Sequence, residues 1–394
     1  MVSKNKVEEV NKIVESMRSE LTQLSLDIYN NPELGMEEFK ACKWQTELLE
    51  KHGFQVEDGF CGIKTAFKAV YKGEKSGPKI AFLAEYDALP KLGHGCGHNL
   101  IAMVSNGSGI ALKNFVDEYG GEVYVIGTPA EETAGAKVSM AKLGAFDDMD
   151  VVMMAHPGYG NVDSLDTMAM TSRKVEFFGK TAHAAASPEA GINALDAMIN
   201  FFNLINAMRQ QTKQDARLHG VITDGGEAAN IIPDYTSAYF YIRSDRVADV
   251  KVLTDKFAKC AEGAALGTGC TVKITPIEED FMDTHSNQVL NNLACDCVEM
   301  FTKEPIVRMN GERIAGSSDL GDVSYKCPAI QLVFKIGEGE TVMGQHTPKF
   351  AECSGSQEGI DNGLDFIKGF ALAGIEILAN PEVLAKIKEE HSQM

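Results

Sequence analysis

The sequence predicts an α/β protein: a mainly parallel-sheet, helix-flanked domain with a ferredoxin-like α+β domain inserted into it. Three observations predict this. Over residues 1–167, continuous apolar runs alternate with helical patterns, as in βαβ units whose strands are covered on both faces. Residues 168–284 then read β-α-β-β-α-β with alternating strands, the order of one ferredoxin-like domain. Residues 285–394 return to the first pattern, so the chain comes back to complete the domain it left.

Each element has its own signal. Val7, Val10, Ile13, Val14, Met17 and Leu21 recur at helical spacing within residues 5–30. PELG (32–35) breaks that helix, and a second runs from about Met36 to Lys51, where HGF stops it. KTAFKAVYK (64–72) reads as a strand, and SGP ends the turn after it. KIAFLAEYDALP (79–90) opens with a continuous apolar run, as a doubly covered strand does. GHGCGHN follows, and LIAMVSNGSGIALKNFVDEYG after it reads as a helix. GEVYVIGTPAEE (121–132) and DVVMMAHPG (150–158) are two more buried strands with polar tails.

In the insertion, SRKVEFFGK is strand-like. SPEAGINALDAMINFFNLINAMRQQ starts at a Ser-Pro cap and continues as a long amphipathic helix. HGVITDGG and DYTSAYFYIRS are alternating strands, ADVKVLTDKFAKCAEGAA is a helix and CTVKITPIE a last strand. An exposed strand edge or helix face of this domain can pair with a copy of itself. The returning segment holds a helix (NQVLNNLACDCVEMF), a Gly/Ser loop (NGERIAGSSDLGDVS), a strand (AIQLVFKIG), a polar loop with His346, and a helix (GIDNGLDFIKGFALAGIEIL). Cys295 and Cys297, one residue apart with no second pair nearby, read as buried thiols on a helix.

Composition excludes some partners. Lys plus Arg is 37 against 56 for Asp plus Glu, a formal net charge of −19. A field of that sign repels phosphate backbones and anionic lipid, so neither nucleic acid nor membrane is an expected partner. No run reaches the ~18 apolar residues of a membrane span. The opening MVSKNKVEEV lacks the apolar stretch of a signal peptide. Nine cysteines, an odd count without a secretory signal, argue for reduced thiols in the cytoplasm.

In parallel sheets, ligands bind outside the carboxyl ends of the strands. AEYD, HGCGH, PAEET and AHPG are therefore expected at one edge of one sheet. Cys96 and His98 suit zinc and similar ions, and Gly95 and Gly97 allow the turn that lets both reach one site. The alternative is a buried thiol beside a helix-capping histidine. The chain has five EE doublets, at 8, 37, 131, 278 and 389, and a doublet in so acidic a chain ordinarily marks a solvated face. Only the pair at Glu131 and Glu132 follows a buried parallel strand. There one carboxylate can bind metal while its neighbour takes a proton from water, which suits hydrolysis. His156 ends the third strand, and His346 can close the site from the returning segment. Cys96, His98, Glu132, His156 and His346 make five candidate ligands. Five is too many for one tetrahedral ion with an open position, but fits two ions ~3.5–4 Å apart sharing a bridging ligand; a thiolate can bridge.

The ordered set AEYDALP, GHGCGHNLIA, GTPAEETAG, MMAHPG, GKTAHAAASPEAGINALDA, GGEAANIIPD and GQHTP resembles the M20 metallopeptidases, over nearly the whole chain. AEYDALP, CGHN and GSSDLGDVS together resemble most the branch of aminobenzoyl-glutamate hydrolases and β-alanyl-lysine dipeptidases. The resemblance implies a discontinuous catalytic domain (1–167 and 285–394) with a dinuclear zinc or manganese site, cobalt or nickel being alternatives, held by the five residues named. It makes Glu131 the general base and Glu132 a ligand. Asp87 is expected to orient a metal ligand. It makes 168–284 a lid that dimerises, with His183 reaching the partner subunit's active site to steady the oxyanion. Asn230 is implied as a second oxyanion or carbonyl donor, and Arg243 as the holder of a substrate carboxylate. From the residues alone, His183 and Asn230 read as turn residues and Arg243 as a surface charge.

The chain departs from those relatives at Glu85, where many have Asp, and at Gly95, where Ala is common. Asp319 is either a pocket residue or a helix cap. The expected function is metal-dependent hydrolysis of the amide bond in small N-acyl amino acids, aminobenzoyl-glutamate-like compounds or dipeptides, by a cytoplasmic homodimer. The rival readings are a thiol hydrolase with Cys96 as nucleophile and His98 as base, and a metal-dependent binding protein without turnover.

Overall fold

The computed structural model of the chain describes residues 4–314 and 316–393. In chain order the strands are β1 (Gln55–Asp58), β2 (Phe67–Lys72), β3 (Lys79–Ala84), β4 (Glu122–Gly127), β5 (Val151–Gly158), β6 (Ala169–Phe178), β7 (Arg217–Asp224), β8 (Tyr235–Ser244), β9 (Thr271–Pro276) and β10 (Ala329–Lys335). They fall in two compact units. The first runs to Asp166 and resumes over Thr284–Ile314 and from Asp319 on; the second holds Thr167–Asp283 together with residues 316–318.

The first unit is built on a sheet of order β1-β2-β4-β3-β5-β10. The pairs β3–β4, β3–β5 and β5–β10 are parallel. β2 pairs antiparallel with β4, and the unforeseen β1 pairs antiparallel with β2. The chain between β2 and β3 is a turn without a crossover helix, and β2 lies outside the parallel centre, between β4 and the edge strand β1.

Both faces of the centre are covered. Ile80, Phe82, Val123, Val125, Val151 and Met153 point into one core, which includes buried residues of the helices Lys4–Asn30, His98–Tyr119 and Gln357–Ala379. Ala81, Leu83, Tyr124, Ile126, Val152 and Met154 point the other way, onto the short helices Ala136–Lys142 and Leu320–Ser324. This two-residue alternation between two dry faces is why the strands read as unbroken apolar runs.

The second unit has a sheet of order β7-β8-β6-β9, antiparallel throughout. The helices Ala194–Met208 and Val247–Thr268 supply Phe201 and Phe257 to its core, beside Phe177 and Phe240. This is the ferredoxin-like arrangement that the element order predicts. The expected Ser-Pro helix start is displaced. Pro188–Ala190 forms a separate 3₁₀ turn, and the helix begins at Ala194, where Asn193 Oδ1 accepts the N–H groups of Leu195 and Asp196. Asn satisfies the first-turn donors, and Gly191 separates it from the earlier turn. Among the described residues no helix is long and apolar enough to cross a membrane.

Candidate active site

The parallel register sets the site. Ala84 pairs with Gly127 and Phe82 with Met153, so the segments after β3 and β4 and the end of β5 emerge at one edge. Glu85 and Asp87 follow β3, Glu131 and Glu132 follow β4, and His156 lies within β5 opposite Val333.

Cys96 and His98 come from the turn that opens the helix His98–Tyr119. Gly97 is left-handed there (φ 77°), and a Cβ on it would lie 2.5 Å from Pro157 Cγ, so only glycine fits. Gly95 does not supply a left-handed turn. It gives space instead, since a Cβ there would come within 2.4 Å of the Leu92 side chain. The helix N-terminus therefore presses against the end of β5, which carries His156. His346 arrives from the returning segment in a left-handed conformation (φ 62°), and its N–H donates to Gly95 O at 2.9 Å. A non-glycine residue in that region marks local strain held by its surroundings.

The side chains converge. Cys96 Sγ lies 3.6 Å from His156 Nε2. Glu132 Oε1 lies 3.2 Å from His346 Nε2 and 3.8 Å from His98 Nε2. Donor atoms of Cys96, His98 and His156 lie within 4.8 Å of one another, as do those of Cys96, Glu132 and His346, and those of His98, Glu131 and Glu132. Asp87 ties two of these groups. Its Oδ1 sits 2.8 Å from His98 Nδ1, and its Oδ2 accepts the Glu132 N–H at 3.0 Å. With Nδ1 held by Asp87, His98 aims Nε2 at the cluster. His156 does the same, its Nδ1 lying 2.8 Å from Pro157 O.

These groups fit divalent ions. Two donor sets share the Cys96 thiol, and both buried imidazoles are oriented by acceptors at Nδ1, the usual support of a metal ligand. Among the described residues, His98 Nε2 has no hydrogen-bond partner although it is buried; such an atom is costly unless something binds it.

Electrostatics separate the two glutamates. Burial works to raise Glu132, but the His346 hydrogen bond and the charge on His98 hold its carboxyl at about 2. Burial, with the charges of Glu85, Glu132 and Asp319, pushes Glu131 well above the usual carboxylate range. Burial also pushes the Cys96 thiol well up. That is opposite to what a free thiolate nucleophile needs.

The M20 peptidase dimerisation domain family matches residues 168–268. Over 96% of its length the chain is 36% identical to the Xaa-Arg dipeptidase of Mus musculus, spanning 90% of that protein. The chain belongs to the M20 peptidase family. It is also 34% identical to a p-aminobenzoyl-glutamate hydrolase component of Escherichia coli (strain K12), over 67% of this chain and 59% of that protein. Among solved structures, a dinuclear metal-binding peptidase of the M20 family from Bacillus subtilis shares the fold, with a TM-score of 0.68 at 20% identity over 92% of this chain and 99% of that one. M20 membership makes the chain a hydrolase of amide bonds.

The remaining residues singled out in the sequence belong to the second unit of this M20 chain. His183 bridges Ile231, and Ala184 N–H donates to Asn230 O at 3.0 Å, so His183 and Asn230 lie on neighbouring exposed segments. His183 Nδ1 accepts the N–H groups of Ala185 (3.2 Å) and Ala186 (3.1 Å). The ring proton therefore sits on Nε2, a donor. Arg243 is half-buried on β8 rather than a free surface charge, with its guanidinium 5.7 Å from the Tyr241 ring centre and Nη1 3.4 Å from Ser317 Oγ.

Sequence reasoning passes over Lys137. Its side chain is wholly buried, with Nζ 2.6 Å from Glu85 Oε1 and 2.6 Å from Asp319 Oδ1. Its backbone N–H donates to Asp319 Oδ2 at 3.2 Å. Burial acts to lower the ammonium's pKa, but Asp319 and Glu85 outweigh it and hold Lys137 charged. Asp319 is thus not a side-chain helix cap, because both its oxygens serve Lys137. Glu85, the departure from relatives, is half of this pair. The available signal is a lysine inside the short apolar stretch AKVSMA.

Proposed function

We propose that this M20 chain is a metal-dependent hydrolase of the amide bond in small dipeptides and N-acyl amino acids, including aminobenzoyl-glutamate-like compounds. Dipeptides with a C-terminal arginine come first among these, on the likeness to the Xaa-Arg dipeptidase. The observation that carries this reading is the pair of donor sets sharing Cys96, with Glu131 inside the same cluster as His98 and Glu132. Cys96, His98, Glu132, His156 and His346 would hold two divalent ions, zinc or manganese. When bound, these supply Lewis acidity to a carbonyl and make water more acidic.

The chain's own groups do the rest. Asp87 fixes the His98 ring and the Glu132 backbone. Glu131 takes a proton from the attacking water as the C–O bond forms, and returns it to the amine nitrogen as the C–N bond breaks. The products are a carboxylate and a free amine. His183 Nε2–H and the Asn230 amide donate to the oxyanion, and Arg243 pairs with the substrate carboxylate. Residues 168–284 act as lid and dimerisation domain, and His183 serves the active site of the second copy. The exposed edge strand β7 supports self-association, since it lies at the end of its sheet with Val221 61% exposed.

The test is a hydrolysis panel. Protein stripped with a chelator is restored with zinc, manganese or cobalt and given aminobenzoyl-glutamate, N-acetyl and N-benzoyl amino acids, and dipeptides ending in Lys, Arg or Glu. Amine release that returns with metal is expected. Glu131→Gln keeps its metal content and loses kcat by about 10²–10⁴. Activity that survives complete metal removal refutes the proposal.

A further inference from the structure

Glu38 is wholly buried, in an EE doublet that otherwise reads as solvated surface. It precedes the helix Phe39–Lys51, where a carboxylate usually caps the first turn. Here that duty belongs to Glu33, whose Oε2 accepts the N–H groups of Lys40 (2.8 Å) and Ala41 (3.0 Å). Glu38 makes no cap hydrogen bond. Its Oε1 instead crosses 92 residues of sequence and accepts the Ala130 N–H at 2.8 Å.

Ala130 is the residue before Glu131, and it is left-handed (φ 59°), which disfavours any residue with a Cβ. Its carbonyl gathers the loop, accepting the N–H groups of Thr133 (3.3 Å), Ala134 (3.0 Å) and Gly135 (2.8 Å). A left turn at Ala130 therefore sets the direction in which Glu131 and Glu132 leave the sheet. The segment bearing Glu38 is fitted against this loop. A Cβ on Gly35 would lie 2.2 Å from Thr133 Oγ1 and 2.9 Å from Ala130 Cβ. The same segment reaches the other side of the site, since Ala88 N–H, next to Asp87, donates to Glu33 O at 2.8 Å.

We propose that Glu38 is a positioning residue of the hydrolytic site: its carboxylate pins the Ala130 N–H and so holds the left-handed turn that aims Glu131 and Glu132. The role rests on the reading of Glu131 as base and Glu132 as ligand.

The experiment compares wild type, Glu38→Ala, Glu38→Gln, Ala130→Gly, the Glu38→Ala/Ala130→Gly pair, and Glu131→Gln, all metal-loaded. Steady-state kinetics are read beside a cobalt(II) titration followed by thiolate–cobalt absorption, and circular dichroism checks folding. Glu38→Ala is expected to lower kcat tenfold to hundredfold with KM within threefold, and to weaken cobalt binding at least fivefold. Glu38→Gln stays within threefold of wild type on both readouts, because its amide oxygen accepts the same N–H. In the Ala130→Gly background the Glu38→Ala penalty shrinks below threefold, because glycine holds the left-handed turn unaided. Should Glu38→Ala not fold, Glu38→Asp replaces it; that carboxylate is one methylene short of the Ala130 N–H. Wild-type kcat and cobalt affinity in Glu38→Ala overturn the proposal, as does an equal loss in Glu38→Gln or an undiminished penalty in the Ala130→Gly background. If wild type hydrolyses nothing, or Glu131→Gln keeps its activity, the base assignment fails, and the cobalt affinities still decide the role of Glu38.

Discussion

Replacing Lys137 with methionine keeps much of the side chain's volume and removes its charge. Glu85 and Asp319, 1% and 0% exposed, are then left facing each other without a cation. Each contact in the native triad is 2.6 Å. At an effective dielectric of about 20, the gross attraction is about 6 kcal/mol per contact, most of it offset by the cost of burying the charges. Removing one partner forfeits the attraction and keeps the cost, so Lys137→Met is expected to destabilise the fold by about 3–5 kcal/mol. That corresponds to a fall in Tm of about 6–10 °C for a domain of this size. The assay is urea and thermal unfolding by circular dichroism in the presence of chelator, so that metal binding does not enter. Burial already raises the Asp319 carboxyl to about 6 against the pull of Lys137, and losing that ammonium raises it further. The penalty is therefore largest above that folded-state value and shrinks as pH falls towards the unfolded carboxylate range, so the gap from wild type narrows between pH 8 and pH 5. Lys137→Met/Glu85→Gln/Asp319→Asn, which carries no charge, should recover most of the loss. A single variant within 1 kcal/mol of wild type at pH 7.5 would refute this account of the triad.

Two further outcomes are expected. Asp87→Asn removes the carboxylate that orients His98 and weakens the acceptor of the Glu132 N–H, so metal affinity measured by chelator competition should drop by about 10–100-fold while the fold persists; unchanged affinity would exclude Asp87 from the orienting role. Glu15 joins Arg18, at 2.7 Å, and Lys368, at 2.8 Å, and the Arg18 hydrogen bond, with Lys368, holds its carboxyl down at about 2 against the opposing effect of burial. A depressed carboxylate stabilises the fold above its unfolded pKa and loses that contribution as pH falls towards 2, so Glu15→Gln should flatten part of the stability decline between about pH 4.5 and pH 2 in acid titrations followed by circular dichroism.

The amino-acid sequence alone determined the two-part architecture and the location of the chemistry. Apolar runs such as KIAFLA and VVMMA can only be strands covered on both faces, and strands joined by helices must be parallel, so AEYD, HGCGH, PAEET and AHPG share one edge by topology. The β-α-β-β-α-β pattern of the insertion is legible for the same reason, because periodicity is local and survives without the rest of the fold. Only the tertiary structure decided the roles of residues whose meaning lies in a distant partner. Glu38 and Glu37 are indistinguishable as letters, yet Glu38 is buried beneath Ala130 while Glu37 is exposed. Lys137 looks like any helical lysine until Glu85 and Asp319, 52 and 182 residues away, enclose it. Asp319 reads as a pocket or capping residue because nothing near it in sequence names its partner. Strand ends are ordered by the short-range rules of backbone pairing, which the chain writes into its pattern. Buried ion pairs and strained turns are decided by which side chains long-range packing shuts away from water, and that is settled only when the whole core forms.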